Sequence, residues 1–209
     1  AGKYFLNKQQ LSAGVSDSEL IHIAVKSMGL DELAPFDPRQ RIIEYCLENS
    51  GSHPLIDMPL TTFSEETASE SPAPGGGSIS AYVGALGISL GTMVANLSAG
   101  KKGWEDKWEE FSAWAVKGQQ LRKELLALVD EDTKSFNAIM NAFQLPKGNE
   151  QEISSRKQAI QDATKYAIEV PFMVMEKSLA SMEIIRKMAA TGNPNSVTDA
   201  GVGILCARL

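Results

Sequence analysis

Residues 70–102 read ESPAPGGGSISAYVGALGISLGTMVANLSAGKK, and this stretch decides the fold. Between Ser71 and Gly100 it carries no charged residue. Its front is a turn. Pro72 and Pro74 cannot continue a helix, and Gly75, Gly76 and Gly77 open backbone angles closed to other residues while removing side chains that would hold a neighbour at a distance. Ser78 stands where an N-cap belongs, and apolar residues then recur helically at Ile79, Tyr82, Leu86, Leu90, Met93 and Leu97. A second face consists of Ser80, Gly84, Gly87, Gly91, Ala95 and Ser98. Each glycine in a helix interior costs ~1 kcal/mol relative to alanine, so three on one face predict close approach of another helix. The helix is predicted to end at Gly100, with Lys101 and Lys102 at its negative end, where a ligand's carboxylates or the helix carbonyls alone would suit them. These features predict the central helix of a helical core.

Other readings of the stretch fit less well. A membrane span would carry less Gly, Ser, Thr and Asn, and no basic cluster precedes this run. A P-loop would close the glycine run with Gly-Lys-Ser/Thr after a strand, and neither is present. A purely structural glycine turn before a buried helix stays open beside a ligand-binding one.

Around this core, 209 residues with 43% hydrophobic and 22% charged composition suffice for one good core and a smaller attached piece. The net charge of -6 argues against general nucleic-acid binding. The two cysteines, Cys46 and Cys206, are far apart and lack metal-ligand spacing, which suits a reducing compartment, and the N-terminus AGKYFLNKQQ lacks the apolar run of a signal peptide. A cytoplasmic protein is expected.

Upstream, Ser16-x-x-Glu19 is a capping-box pattern opening a helix with Leu20, Ile23, Ala24 and Met28 on one side, stopped by Gly29. His22 beside it, with no cysteine or second histidine near it in sequence, reads as structural or surface. Asp37-Pro38 starts a short helix over 39–47 with Ile42, Ile43 and Cys46 inward. Residues 48–53, including His53, have linker composition.

Downstream, Trp104, Trp108, Phe111 and Trp114 form an aromatic stripe that reads first as core, at the start of a long helix predicted over 105–143. Its apolar face runs through Leu121, Leu125, Leu128, Phe136, Ile139 and Phe143. Asp132 falls within that face, whereas Asp130 and Glu131 fall on flanking faces open to solvent. A carboxylate on an apolar face pairs with a cation, caps a buried donor, or carries a raised pKa suited to proton transfer. Structural ion pair and catalytic carboxylate are equally good readings here.

After the turn at Leu145-Pro146-Lys147-Gly148, another helix starts near Asn149 and is expected to kink at Pro171. Its stripe continues through Phe172, Met175, Leu179, Met182, Ile185 and Ala189, with methionines as core filler. Ser196-x-x-Asp199 opens a last helix whose Val202, Leu205 and Cys206 are mid-pattern at Leu209, so the chain reads as a fragment or as one that needs a partner. The fold class expected is all-α, an antiparallel helical bundle with a short helical N-terminal segment.

The run SPAPGGGS (71–78), NLSAGKK (96–102), VDEDTKSF (129–136), LPKG (145–148), ATKYAIEVP (163–171) and TGNPNSVTDAGVG (191–203) together resemble formimidoyltetrahydrofolate cyclodeaminase. AGKYFLNKQ, ELIHIAVKSMGLDEL and PFDPRQRIIEY resemble the end of the formiminotransferase domain that precedes it in bifunctional members. The resemblance divides the chain into a transferase remnant at 1–48, a linker at 49–58 and a cyclodeaminase domain at 59–209. Relative to the family, most of the transferase with its catalytic histidine and the final cyclodeaminase helices are missing.

The resemblance implies conversion of 5-formimidoyltetrahydrofolate to 5,10-methenyltetrahydrofolate with release of ammonia, in histidine degradation and one-carbon metabolism. It implies Asp132 as the catalytic residue, the second aspartate of VDxD. Gly75, Gly76, Gly77 and Ser78 would border the pterin or its glutamate, Lys101 and Lys102 would meet polyglutamate carboxylates, and Asp199 would serve the pterin or cap its helix. No cofactor is expected beyond the folate substrate, no metal, no membrane span, and a homo-oligomer is implied. Alternatives are a methenyltetrahydrofolate cyclohydrolase and a non-catalytic helical assembly module. A di-iron bundle is excluded, because it needs two Glu-x-x-His pairs and the sequence holds one, Glu19 with His22.

Overall fold

The computed structural model describes residues 1–32, 34–43, 45 and 54–208. Cys46 and residues 49–53 of the linker expected at 49–58, His53 among them, lie outside them. Among the described residues there is no strand, and the elements are α1 (Gly2–Lys8), α2 (Asp17–Ser27), α3 (Pro38–Arg41), α4 (Leu60–Thr67), α5 (Gly76–Ala99), α6 (Trp108–Phe143), α7 (Glu150–Thr191), a 3-10 turn at Pro194–Ser196 and α8 (Val197–Ala207). The all-α bundle is therefore as expected.

Start signals written into the sequence are used as such at three places. Ser16 Oγ accepts the Glu19 N–H, Asp37 accepts the Arg39 N–H, and Asn149 Oδ1 accepts the Glu152 N–H. Ser196 stands at the N-cap of α8 without making the side-chain bond its pattern predicted. Of the inward residues expected near α3, Ile43 is exposed. Helix α7 passes through Pro171 without ending.

Helix α5 is the hub. Gly118 of α6 lies on Thr92, Leu125 on Gly84 and Asp132 on Gly77, so α6 runs antiparallel to α5. Ser178 lies on Gly84 and Ile185 on Gly91, so α7 runs parallel to α5 and antiparallel to α6. Helix α8 returns along α5 with backbones in contact: a Cβ at Gly87 would stand 2.8 Å from the Gly203 carbonyl, and a Cβ at Gly203 2.9 Å from the Gly87 carbonyl.

The packed face of α5 is the small-residue face. Gly84, Gly87, Gly91, Ala95 and Ser98 are buried, whereas Leu86, Met93 and Leu97 are exposed. The same inversion occurs on α7, where Val170, Val174, Ser178, Ser181, Ile185 and Met188 are buried while Phe172, Met175 and Leu179 point outward. Of the expected stripes of large residues, Leu86, Met93 and Leu97 on α5 and Phe172, Met175 and Leu179 on α7 are thus outside the core, whereas Ile185 is in it and Tyr82 and Met182 pack against it. Backbones that approach closely leave no room for large side chains between them, and glycine, alanine and serine let the helices reach that distance. The core fills in with Phe111, Ile88, Leu125, Ile185 and Met188. Trp104 stacks on Phe111 at 5.6 Å between ring centroids, in keeping with the core reading of that aromatic run.

Helix α5 is long and apolar enough to cross a membrane, but 56% of its most apolar window is buried inside the bundle, the mark of a core helix.

Candidate functional site

The first turn of α5 needs acceptors for its free amides, and a carboxylate supplies them from another helix. Asp132, half-buried at mid-α6, accepts the Ser78 N–H (2.9 Å) and the Ser78 hydroxyl (3.0 Å), both on Oδ2. Helix α5 begins at Gly76, so Ser78 is inside its first turn and is not the N-cap; Gly75 holds that position without a side chain. Ser78 itself is fully buried, and its hydroxyl also lies 3.4 Å from Thr133 Oγ1.

The three glycines divide by function. A Cβ at Gly77 would overlap the carboxylate, 2.6 Å from Asp132 Cγ, so only glycine lets Asp132 lie across the helix start. Gly75 and Gly76 face open space instead. Among the described residues Asp132 Oδ1 has no hydrogen-bond partner, and no lysine or arginine pairs with Asp132. The arrangement is a carboxylate held by one oxygen, with the other oxygen at the positive end of a helix beside uncovered backbone.

Asp130 corrects the sequence reading, which left it in solvent. It is only 2% exposed, and its oxygens accept the N–H groups of Leu55 (2.9 Å) and Ile56 (3.5 Å). One turn of α6 therefore holds two chain segments, 55–56 through Asp130 and 77–78 through Asp132. Between them α4 lays Phe63 against Tyr82 of α5, 5.4 Å apart. Beside the same turn, Tyr166 of α7 donates a 2.5 Å hydrogen bond to Glu131, which raises the phenol's pKa. Nothing in the periodicity marks Asp130, because its partners are backbone amides far away in sequence. The available signal is its place as the first aspartate of VDED, two residues before Asp132.

The other expected site residues lie elsewhere. Lys101 and Lys102 follow the far end of α5, about 36 Å away at 1.5 Å per residue over its 24 residues. Lys101 Nζ sits 4.1 Å over the Trp104 ring and 3.4 Å from Asn193 Oδ1, while Lys102 is exposed. Asp199, in the first turn of α8, belongs to that same end, where the Asn193 N–H is tied to Ser98 Oγ at 2.8 Å. Gly75 to Ser78 and Asp132 form one cluster, and Lys101, Lys102 and Asp199 do not join it within one chain. Among the described residues no group of three or more metal-ligating side chains is close enough to hold an ion. The larger cavities also lie away from Asp132: one of about 640 Å³ around His22 and Arg39, and an apolar groove of about 1000 Å³ between α7 and α8.

A glycine-packed all-α bundle with a carboxylate capping its central helix defines the class. The chain belongs to the formiminotransferase-cyclodeaminase family, whose model matches residues 59–209, while the formiminotransferase domain model matches residues 1–48. It is 32% identical to the formimidoyltransferase-cyclodeaminase of Rattus norvegicus over 95% of this chain, and spans 37% of that protein's length. It is 35% identical to the methenyltetrahydrofolate cyclohydrolase of Methylorubrum extorquens over 71% of each chain. The crystal structure of formiminotetrahydrofolate cyclodeaminase from Thermotoga maritima is similar over 73% of this chain and 72% of that one, with 29% identity and a TM-score of 0.63.

Proposed function

We propose that the bundle is an ammonia-lyase that converts 5-formimidoyltetrahydrofolate to 5,10-methenyltetrahydrofolate and ammonia, with Asp132 as its acid/base and no cofactor beyond the folate. The observation that carries this is the pose of Asp132: one oxygen anchored by Ser78, the other unengaged beside the open backbone of Gly75 and Gly76. Ring closure needs N10 to attack the amidine carbon, N10 to lose a proton, and the departing nitrogen to gain one so that ammonia leaves. A single carboxylate takes the first proton and returns the second, a contribution of typically ~10²–10⁴ in rate. The exposed amides of the first turn suit an anionic or carbonyl edge of the ligand.

A second reading, hydrolysis of methenyltetrahydrofolate, is favoured by the Methylorubrum relative. It uses the same carboxylate to activate water. Ammonia release from formimidoyltetrahydrofolate, measured in parallel with loss of methenyltetrahydrofolate, separates them: ammonia from the first substrate supports the lyase, turnover of the second alone supports the hydrolase, and neither reaction rejects both.

The same reading places the protein in the cytoplasm, in histidine catabolism, with the division at 1–48, 49–58 and 59–209. It assembles with copies of itself, supported by the outward Phe172, Met175 and Leu179 and by Val202 and Leu205. Sedimentation showing a monomer at micromolar concentration counts against that. Lys101, Lys102 and Asp199 then serve the glutamate tail or pterin of a site completed by another copy.

A further inference from the structure

The part that matches the formiminotransferase domain holds to the bundle by polar contacts of unusual completeness. Helices α1 and α2 bury Leu6 and Val25, but these lie outside the main hydrophobic cluster. The loop between the two helices reaches the seam of α5 and α6. Ser12 Oγ donates to Asn96 Oδ1 (2.7 Å), and Asn96 Nδ2 donates to the Gly14 carbonyl (2.9 Å), which Gln119 Nε2 also reaches (3.1 Å). The Ala13 N–H donates to Ser112 Oγ at 2.9 Å in a buried bond. Gly14 lies so close to α6 that a Cβ there would stand 2.8 Å from the Ala115 Cα. Just beyond the loop, Asp17 pairs with Lys123.

Both halves of the Asn96 amide are thus spent on two loop residues, Ser12 and Gly14, the Gly14 carbonyl accepts from both Asn96 and Gln119, and the fit excludes a single methyl group. We infer that the seam at Asn96, Ser112, Ala115 and Gln119 is a receptor for the Ser12-Ala13-Gly14 loop, a latch that fixes the transferase-matching part in one orientation on the bundle. Without it the connecting chain would be only a tether. Since the latch grips α6, the helix that also carries Asp132, the two family-matched parts move as one body. This stands whichever folate reaction the bundle runs.

Hydrogen exchange read by mass spectrometry on the full chain tests it with Gly14→Val on the loop and Asn96→Ala on the receptor. Losing these bonds should let amides of α1 and α2 exchange at least ~10-fold faster in both variants, with rates in α5, α6 and α7 unchanged. Gly14→Val leaves every bundle side chain in place, so it decides the matter even if Asn96→Ala folds poorly. Unaltered exchange in α1 and α2 of Gly14→Val overturns the latch, and so does equal acceleration throughout the bundle, which would make the contact part of the common core.

Discussion

The two ends of α5 meet the same dipole with opposite outcomes. At the start, amide groups draw in a carboxylate from α6, and Asp132 spends one oxygen on Ser78 while the other stays unengaged. At the finish, carbonyls favour cations, and Lys101 arrives, but its ammonium is already placed over Trp104 and beside Asn193. A charge at a helix end is what electrostatics predicts with or without a ligand. The difference between the ends is residual capacity: an unused acceptor next to bare backbone at one, a cation already engaged by a ring and a side-chain amide at the other.

The largest effect expected from breaking this contrast is at Asp132. Asp132→Asn keeps an oxygen for the Ser78 donors but removes the proton acceptor, so turnover should fall by at least ~10²-fold with folate binding little changed. Its stability should stay within about 1 kcal/mol of the parent, because asparagine also caps well. Asp132→Ala instead strands the buried Ser78 amide and hydroxyl, a loss of about 2–3 kcal/mol in denaturant unfolding. A stable Asp132→Asn protein with near-parental ammonia release would sink the catalytic assignment.

Next in size is a comparison of neighbours. Gly77→Ala drives a methyl group into the Asp132 carboxylate and should cost about 2 kcal/mol or more, with activity lost as Asp132 is displaced. Gly76→Ala points into open space and should hold stability or raise it by about 0.5–1 kcal/mol. If folate lies against that backbone, Gly76→Ala raises KM while the melting temperature does not fall. Equal stability losses at 76 and 77 would contradict the division of the turn into a packed glycine and an exposed one.

The sequence made some of this legible and hid the rest for physical reasons. Local signals carried well: the caps at Ser16, Asp37 and Asn149, the glycine turn, the charge-free central helix and the all-α class all follow from short-range patterning. The glycine face of α5 is legible as a close-contact face, yet helical periodicity predicts the large apolar residues opposite it as core as well. Hydrophobicity does not say whether a stripe meets its own chain or something else, and Leu86, Met175 and Leu179 are outside here. Asp132 stood out because an aspartate interrupts an apolar face. Asp130 did not, since its partners are the amides of Leu55 and Ile56 and no side-chain pattern encodes them. Residues grouped by chemical suitability, Lys101 with Gly75, were separated by the length of a helix.

The smallest effect belongs to the far end. Lys101→Met keeps an apolar stem against Trp104 and loses the ring's attraction for the ammonium, worth about 0.5–1 kcal/mol at a partly exposed site. Within a single chain that end is remote from Asp132, so turnover and KM for a monoglutamyl substrate should stay at parental values. The informative measurement is KM for a substrate with a long glutamate tail, compared in Lys101→Met and in Lys101→Met combined with Lys102→Met. A rise of ~10-fold confined to the long-tailed substrate corresponds to about 1.4 kcal/mol of lost charge attraction. Such a rise would mean that the end of α5 in one copy serves the carboxylate site of another. Equal KM values for short and long tails would leave these lysines as helix-end and aromatic partners only, and the functional contrast between the two ends of α5 would be complete.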